Sequence, residues 1–544
     1  MPKASGYQIW ITLVVFIFYR YPDSSKSFEA EGDVMVVRRF YKPILTAEQM
    51  RMAEQKTIQD TGLTSLDMME RAGQAVAREC HKHKYNSGRI VIVVGAGNNG
   101  GDGFVAARLL RQEQVPVTVI PLIPLDNMKG DLKYQAELAI QSGVKVRPMV
   151  SSDDTEKFTS WLKRAVLVVD AIFGTGINKP VTGWIAQAME LINQAHCPTL
   201  SVDIASGIHA DTGEIMGAAI HADVTLPIAA YKWGHWLKDG KQQGSQMIAP
   251  APIGIRKTTM IDIMRSHPFI AAQSLLNDKG IIAEAFPARP VDAYKQSCGH
   301  LWIFGGSKGY TGAPSLVGKG AQAVRTGVIS LGVPDDVYPV VAAASLETMV
   351  HPQSIAPWKK HHAIVAGPGW DDGQTALLNT ILGSDKPVVL DANALNLISR
   401  DEELQETLRQ RQGLTLLTPH PGEAARLLQV SIADIQADRI KAALDLVEKL
   451  NVWVVLKGAR SVIVSPDKHL WLNPYGSANL ATAGTGDVLA GVIGGLLAQG
   501  VDPEIAIPAG VALHSISGEQ SGWHKAGQLE SIIANMVHHI QLHA

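Results

Sequence analysis

The residues best placed to do chemistry stand near the C-terminus, where residues 481–491 read ATAGTGDVLAG, a glycine loop entering an apolar segment with one carboxylate, Asp487, at the join. Gly484 and Gly486 allow a tight turn that points successive N–H groups outward. The dipole of the helix expected to follow adds partial positive charge, so a phosphate would be accepted there. Asp487 then has two readings. A carboxylate repels an anion beside it, which suits a base acting on a hydroxyl about to meet a phosphoryl group, or a cation holder. Alternatively it only favours the helix N-terminus electrostatically.

A second set of polar groups lies in the first half. The loop at residues 95–104 (GAGNNGGDGF) follows the apolar run RIVIVV, Asp170 heads DAIFGTG after AVLVV, and Asp203 heads DIASG after PTLSV. Gly95, Gly97 and Gly100 satisfy G-x-G-x-x-G, but a dinucleotide site of the Rossmann type also needs an acid about 20 residues on, at the end of the next strand. That strand, residues 117–120, ends in Pro121-Leu-Ile-Pro, with no acid before Asp126, so ordinary NAD binding is rejected. Asn98, Asn99 and Asp102 instead offer oxygen ligands suited to an alkali or alkaline-earth cation or to a polar substrate. Ligands gather beyond the carboxyl ends of parallel strands, so three such ends describe one crevice. In the second half Lys457, followed by glycine, fits a nucleotide phosphate or an ordinary surface lysine. His420, held between Pro419 and Pro421, fits a ligand contact or a structural role, and Glu423 fits a helix start or a ligand contact. The pairs His361-His362 and His81/His83 lack partners at metal spacing and are read as solvated.

The elements that must position these groups alternate strand and helix. Residues 46–78 have helix chemistry, with Thr46 as cap, Gln49 as its reciprocal partner and an apolar face through Met50, Ala53, Ile58, Leu66 and Met69. Strands are expected at 89–94, 117–120, 165–169, 198–202 and 222–226, then at 300–304, 363–366, 387–390, 414–417 and 452–456. Between the two series the pattern loosens around Pro250, Pro252, Pro287 and Pro290, with one helical stretch at 270–276. The chain has 544 residues, enough for two large α/β domains, and Lys+Arg 49 against Asp+Glu 51 gives no basic surplus for nucleic acid. Three dispersed cysteines exclude a disulfide framework and a cysteine zinc site and suit a reducing cytoplasm. The apolar run at residues 9–19 is too short to span a bilayer and lacks a following cleavage site, so residues 1–40 are expected to be a non-native extension, with no membrane partner.

Two families are resembled. Residues 45–241 resemble the epimerases of hydrated NADH and NADPH through GxGNNGGDG, DAxFGTG and VDIxSG. Residues 283–544 resemble the nucleotide-dependent dehydratases of the same damaged cofactors through GGSxGYxGA, GPG, LDAxALN, LTPHPGE, LKGA and ATAGTGDVLAG, and the fused order is that of the bifunctional bacterial repair enzymes. The resemblance implies an N-terminal Rossmann-like three-layer αβα domain over 41–245, a linker over 246–282 and a C-terminal ribokinase-like α/β domain over 283–544. It implies that Asn98, Asn99, Gly100, Gly101, Asp102, Gly174, Thr175, Gly176, Ile177, Asn178, Lys179, Pro180 and Asp203 contact the hydrated cofactor, and that Asn99, Asp170 and Ser206 hold potassium. In the second half it places Ala313, Gly369, His420 and Asp487 against the hydrated ring, and Lys457, Gly458, Ala459, Arg460, Ser461 and Gly486 against ADP or AMP. Asp203 and Asp487 become the proton-transfer residues, magnesium is expected with the nucleotide, and a homo-oligomer is expected.

The first half departs from its family's pattern only at Ala205, where proline is usual. In the second, Asn479 and Ile329 stand where the family has glycine, and Tyr294, Trp370, Asp371 and Ser477 also differ, so nucleotide affinity is the expected weak point if those sites need φ > 0 or close backbone packing. Two rivals remain: a ribokinase-like kinase, which leaves a stable phosphorylated product, and a binding protein without turnover.

Overall fold

The strand residues Arg89–Val94 show why the apolar runs are continuous rather than alternating: Ile90, Ile92 and Val94 enter one core and Val91 and Val93 the other, so both faces of the sheet are covered. A computed structural model gives this arrangement for residues 42–542, apart from 83–87, 267–272, 277–279, 287–288, 359–360 and 521. The expected extension over 1–40 and His83 lie outside the described residues. No helix among the described residues is long and apolar enough to cross a membrane.

Seven parallel strands form the first sheet, in the spatial order Lys145–Val146, Val117–Pro121, Arg89–Val94, Ala165–Ala171, Thr199–Val202, Ala222–Leu226 and Gly244–Met247. Helices on both faces complete an αβα sandwich, as expected. Arg89–Val94 sits between Val117–Pro121 and Ala165–Ala171, with Lys145–Val146 beyond the first of these and the later strands beyond the second, so the order reverses beside it, the position where open α/β sheets form a crevice.

Among the described residues the second sheet has twelve strands. Met349–Pro352, Val328–Val333, His300–Phe304, Ala363–Ala366, Val388–Leu390, Thr415–Leu417 and Trp453–Leu456 run parallel, and Val462–Val464 and His469–Leu472 fold back antiparallel. Along His300–Phe304, Leu301 and Ile303 face one core while Trp302 and Phe304 face the other. The helix Thr485–Ala498 crosses the first of these cores against Ala313–Ala323. The two backbones meet at Gly491, where an added Cβ would lie 1.9 Å from the Val317 carbonyl oxygen. Three more strands continue the sheet past His469–Leu472: Gln273–Leu276, then Lys42–Leu45, then Tyr231–Lys232. Two of them come from the first half of the chain, so strand pairing crosses between the halves.

Several expectations need correction. Residues 46–78 hold two helices, Ala47–Thr61 and Ser65–Lys82, because Gly62 adopts φ +74° and closes the first. The Thr46–Gln49 capping box does form, but Ile58 faces solvent. The helical stretch expected at 270–276 is instead strand over Gln273–Leu276, and the helix lies earlier, at Lys257–Ser266. A four-residue run bordering an established strand is decided by the ladder it completes, which local pattern does not report. His361 is buried, with Nδ1 on the Trp358 carbonyl at 2.5 Å and Nε2 3.1 Å from Ser384 Oγ, so it is a core histidine rather than a solvated one.

Candidate functional site

The first crevice opens where Arg89–Val94, Ala165–Ala171 and Thr199–Val202 end. The helix Asn98–Gln112 begins at once, so Asn98, Asn99, Gly100, Gly101 and Asp102 occupy its first turns rather than a loop. Asn99 is buried and its Nδ2 donates to the carbonyls of Phe173 (3.0 Å) and Val202 (3.2 Å). Asp170 is wholly buried. Its Oδ2 accepts from Ser201 Oγ (2.7 Å) and the Ser206 amide (2.9 Å), and its Oδ1 from Ser206 Oγ (2.5 Å) and the Ile172 amide (3.2 Å). Burial raises the Asp170 carboxyl, and those donors oppose it. Ser206 Oγ also accepts from the Phe173 amide at 2.9 Å, so Asn99, Asp170 and Ser206 meet around Phe173. In the loop after Asp170, Gly174 adjoins Asn99 and Asp203, Thr175 is half-buried, Gly176, Asn178, Lys179 and Pro180 are exposed, and Ile177 turns into the core.

Asp203 lies at the centre with a backbone φ of +68°, a conformation a non-glycine residue holds only when its surroundings impose it. Its Oδ1 accepts from the Ile228 amide (3.0 Å) and from the ammonium of Lys232, a lysine buried to 1% exposure. His235 Nδ1 accepts from the Lys232 amide, so its Nε2 carries the proton donated to the Asp203 carbonyl at 2.7 Å. Burial and the Lys232 charge pull His235 down to about 4, which keeps it neutral. Asp102 is held well above the usual carboxylate range, first by burial and then by Asp203 and Glu54, and burial raises Glu54 too.

In the second half the helix Thr485–Ala498 starts at Gly484, whose φ of +88° requires glycine, whereas Gly486 lies within the first turn and has no positive φ. Asp487 follows, pushed up to about 7 by burial and by Asp391, against the opposing charge of Lys457. Lys457 is no ordinary surface lysine: its Nζ lies 2.7 Å from Asp391 Oδ1 and 4.0 Å from Glu423 Oε2, with its side chain 19% exposed. Burial works against its ammonium, and Asp391, Glu423 and Asp487 together outweigh that. Glu423 is pushed up to about 7, chiefly by burial. A Cβ on Gly486 would lie 3.5 Å from Lys457 Nζ and 3.9 Å from Asp391 Oδ2, so this glycine borders the same cluster. Ala313 and Gly369 also adjoin each other, since a Cβ on Gly369 would reach 2.9 Å from that of Ala313.

His420 serves as helix cap. Its Nδ1 accepts from the amides of Gly422 (3.0 Å) and Glu423 (3.3 Å), while Glu423 Oε2 accepts from the His420 amide at 2.8 Å. Capping therefore accounts for His420 Nδ1 and for Glu423 Oε2, while the half-exposed imidazole keeps Nε2 3.4 Å from Glu423 Oε1. Replacing His420 with alanine is expected to cost about 1 kcal/mol, read as a lowered thermal midpoint. Gly458 and Ala459 are exposed, Ser461 is buried, and Arg460 donates to the Trp236 carbonyl at 2.6 Å, away from the lysine cluster.

Asp391, Glu54, Lys232 and His235 were not singled out from sequence. Asp391 opens the LDAxALN stretch after a strand, the same signal that marked Asp170 and Asp203, and is followed by Ala392 at φ +51°. Lys232 carries no such signal. Neither Asn479 nor Ile329 has positive φ: Asn479 donates to the carbonyls of Gly518 and Gly522, both at 3.1 Å, and Ile329 fills a strand. That conformational reason for weak nucleotide affinity therefore falls away.

A family model described as NAD(P)H-hydrate dehydratase matches residues 301–533, and one described as the YjeF-related protein N-terminus matches residues 65–234. The chain is 32% identical over 499 residues to a bifunctional NAD(P)H-hydrate repair enzyme of Moorella thermoacetica, covering 88% of this chain and 92% of that one. It is 30% identical over 484 residues to the enzyme of the same description from Escherichia coli, covering 87% and 88%. A crystal structure of an ADP/ATP-dependent NAD(P)H-hydrate dehydratase from Bacillus subtilis, co-crystallised with ATP and Mg2+, aligns with 50% of this chain and 100% of that one at 28% identity and a TM-score of 0.45.

Proposed function

The chain belongs to the bifunctional NAD(P)H-hydrate repair enzymes, and from that premise we propose which groups carry its two reactions. Its first half epimerises the R and S forms of hydrated NADH and NADPH, and its second half dehydrates the S form with the help of a nucleotide. Water added across the enamine bond of a dihydronicotinamide leaves a hydroxyl on the carbon beside the ring nitrogen. In the first site Asp203 accepts or returns the proton of that hydroxyl as the centre inverts, with the rim loop over residues 174–180 and the helix start at Asn98–Asp102 holding the cofactor.

In the second site Asp487 takes the proton from the S hydroxyl, whose oxygen attacks the terminal phosphate of ADP and releases AMP. Loss of phosphate with a proton from the neighbouring ring carbon restores the double bond. The observation that carries this reading is the buried group of Asp391, Glu423 and Asp487 around Lys457, with Asp487 poised near neutrality at a helix start. Lys457, Gly458, Ala459, Arg460, Ser461 and Gly486 would line the nucleotide, and Ala313, Gly369 and His420 the ring.

Two ions fit the donors present. Asn99, Asp170 and Ser206 supply only oxygen if the Asn99 amide turns its oxygen inward, which suits potassium, and the ion would add fixed positive charge beside the substrate. Three carboxylates around one lysine leave the second site short of positive charge. Asp391 and Glu423 would hold magnesium, which would offset the phosphate charge.

Purified protein mixed with hydrated NADH and ADP is expected to regain NADH absorbance with equal yields of AMP and phosphate. A stable phosphorylated product would make it a kinase, and binding without turnover would make the second half a binding protein.

A further inference from the structure

Among the described residues, the hydrogen bonds that fix Asp203 all come from one segment, residues 226–235. The Asp203 amide donates to the Leu226 carbonyl at 2.8 Å, its Oδ1 accepts from the Ile228 amide and the Lys232 ammonium, and its carbonyl accepts from His235 Nε2. Lys232 is itself held, since its Nζ donates to the Ile228 carbonyl at 2.7 Å. Oδ1 is thus engaged twice. Oδ2 accepts no such bond among the described residues and looks toward Gly174, where an added Cβ would lie 3.6 Å from it and 3.6 Å from Asn99 Cγ.

The charges make the same division. Lys232 faces three carboxyl groups, those of Asp203, Asp102 and Glu54, and Arg51 is the other cation that acts on Glu54. Breaking a buried pair by removing its cation leaves an uncompensated charge, so a lysine buried to 1% exposure on one of these carboxylates determines where negative charge resides. The geometry points to Lys232 as a positioning residue for the epimerase: its ammonium holds Asp203 Oδ1 and balances its charge, so that Oδ2 alone meets the substrate hydroxyl. This rests on the epimerase reading above. In the step itself the hydroxyl proton passes to Oδ2 as the bond from that carbon to the ring nitrogen breaks, its electron pair staying on nitrogen and a carbonyl forming. Closure on the opposite face returns the same proton to oxygen.

The test compares exchange between R and S hydrated NADH in the full-length wild type, Lys232→Met and Lys232→Arg, with dehydration of the S form measured on each preparation. Lys232→Met is expected to lower kcat for exchange on the order of 100-fold, the scale of losing one orienting contact, with KM and dehydration little changed. Lys232→Arg should recover at least about a tenth of the wild-type kcat, because it keeps a cation on Oδ1. Adding methylammonium to Lys232→Ala should restore exchange, whereas ethanol, similar in size and uncharged, should not. Full exchange in Lys232→Met overturns the proposal, as does equal rescue by ethanol. If Lys232→Met and Lys232→Ala lose dehydration through misfolding, Lys232→Arg decides: inert exchange with intact dehydration overturns the proposal. Absence of exchange in the wild type would overturn the epimerase reading instead.

Discussion

Asp487→Asn is expected to lower recovery of NADH from its S hydrate by about 10³-fold, within the range for loss of a general base, while R–S exchange continues. The two sites share no proton-transfer residue, so the variant separates them within one chain. In the wild type the rate of dehydration should fall as pH drops below about 7, because burial and Asp391 have raised Asp487 to that value and only its ionised form accepts the hydroxyl proton. Stability should move the other way. A carboxyl whose folded pKa lies above its unfolded one binds the proton more tightly when folded, so its contribution is greatest at low pH and is lost as pH rises through about 7. Asp487→Asn should therefore raise the thermal midpoint at pH 8 and change it little at pH 4. An unaltered rate of NADH recovery would remove Asp487 from the mechanism.

Lys457→Met should abolish dehydration and also destabilise the protein. Taking the cation from a buried pair typically costs about 3–5 kcal/mol, and here Asp391 Oδ1 at 2.7 Å and Glu423 Oε2 at 4.0 Å would both lose it. With Lys457 gone the remaining carboxyls repel one another, so the destabilisation should ease on acidification, which protonates them. Thermal unfolding from pH 5 to 8 checks this. An unchanged midpoint at pH 8 would mean that solvent, rather than this cluster, neutralises the lysine. Exchange of epimers should survive wherever the variant stays folded.

The strand ends were legible because continuous apolar runs followed by glycine and acid are hard to read any other way. They placed Asp170 and Asp203 at the ends of their strands, and the glycine loop placed Asp487 at its helix start, where the structure has them. What sequence could not supply was the partner of each acid. Lys457 was legible as a cation near glycine but not as the counter-ion of Asp391, a residue 66 positions away that reaches it only through sheet order. Lys232 was less accessible still. It follows no strand signal, and its relation to Asp203 depends on a loop that returns over the end of Thr199–Val202. The helix expected over 270–276 failed for a related reason, since Gln273–Leu276 owes its conformation to partners on either side rather than to its own residue types.

Tyr231–Lys232 pairs with Lys42–Leu45, which pairs with Gln273–Leu276 and so continues the sheet of the dehydratase half, and the Trp236 carbonyl receives Arg460 from the Lys457–Ser461 loop. An engineer wishing to divide this protein into two separate catalysts would accordingly find no clean seam. A cut between the halves frees the sandwich that carries Asp203 but strips the backing from the lysine that holds it, so the first reaction borrows part of its scaffolding from the second.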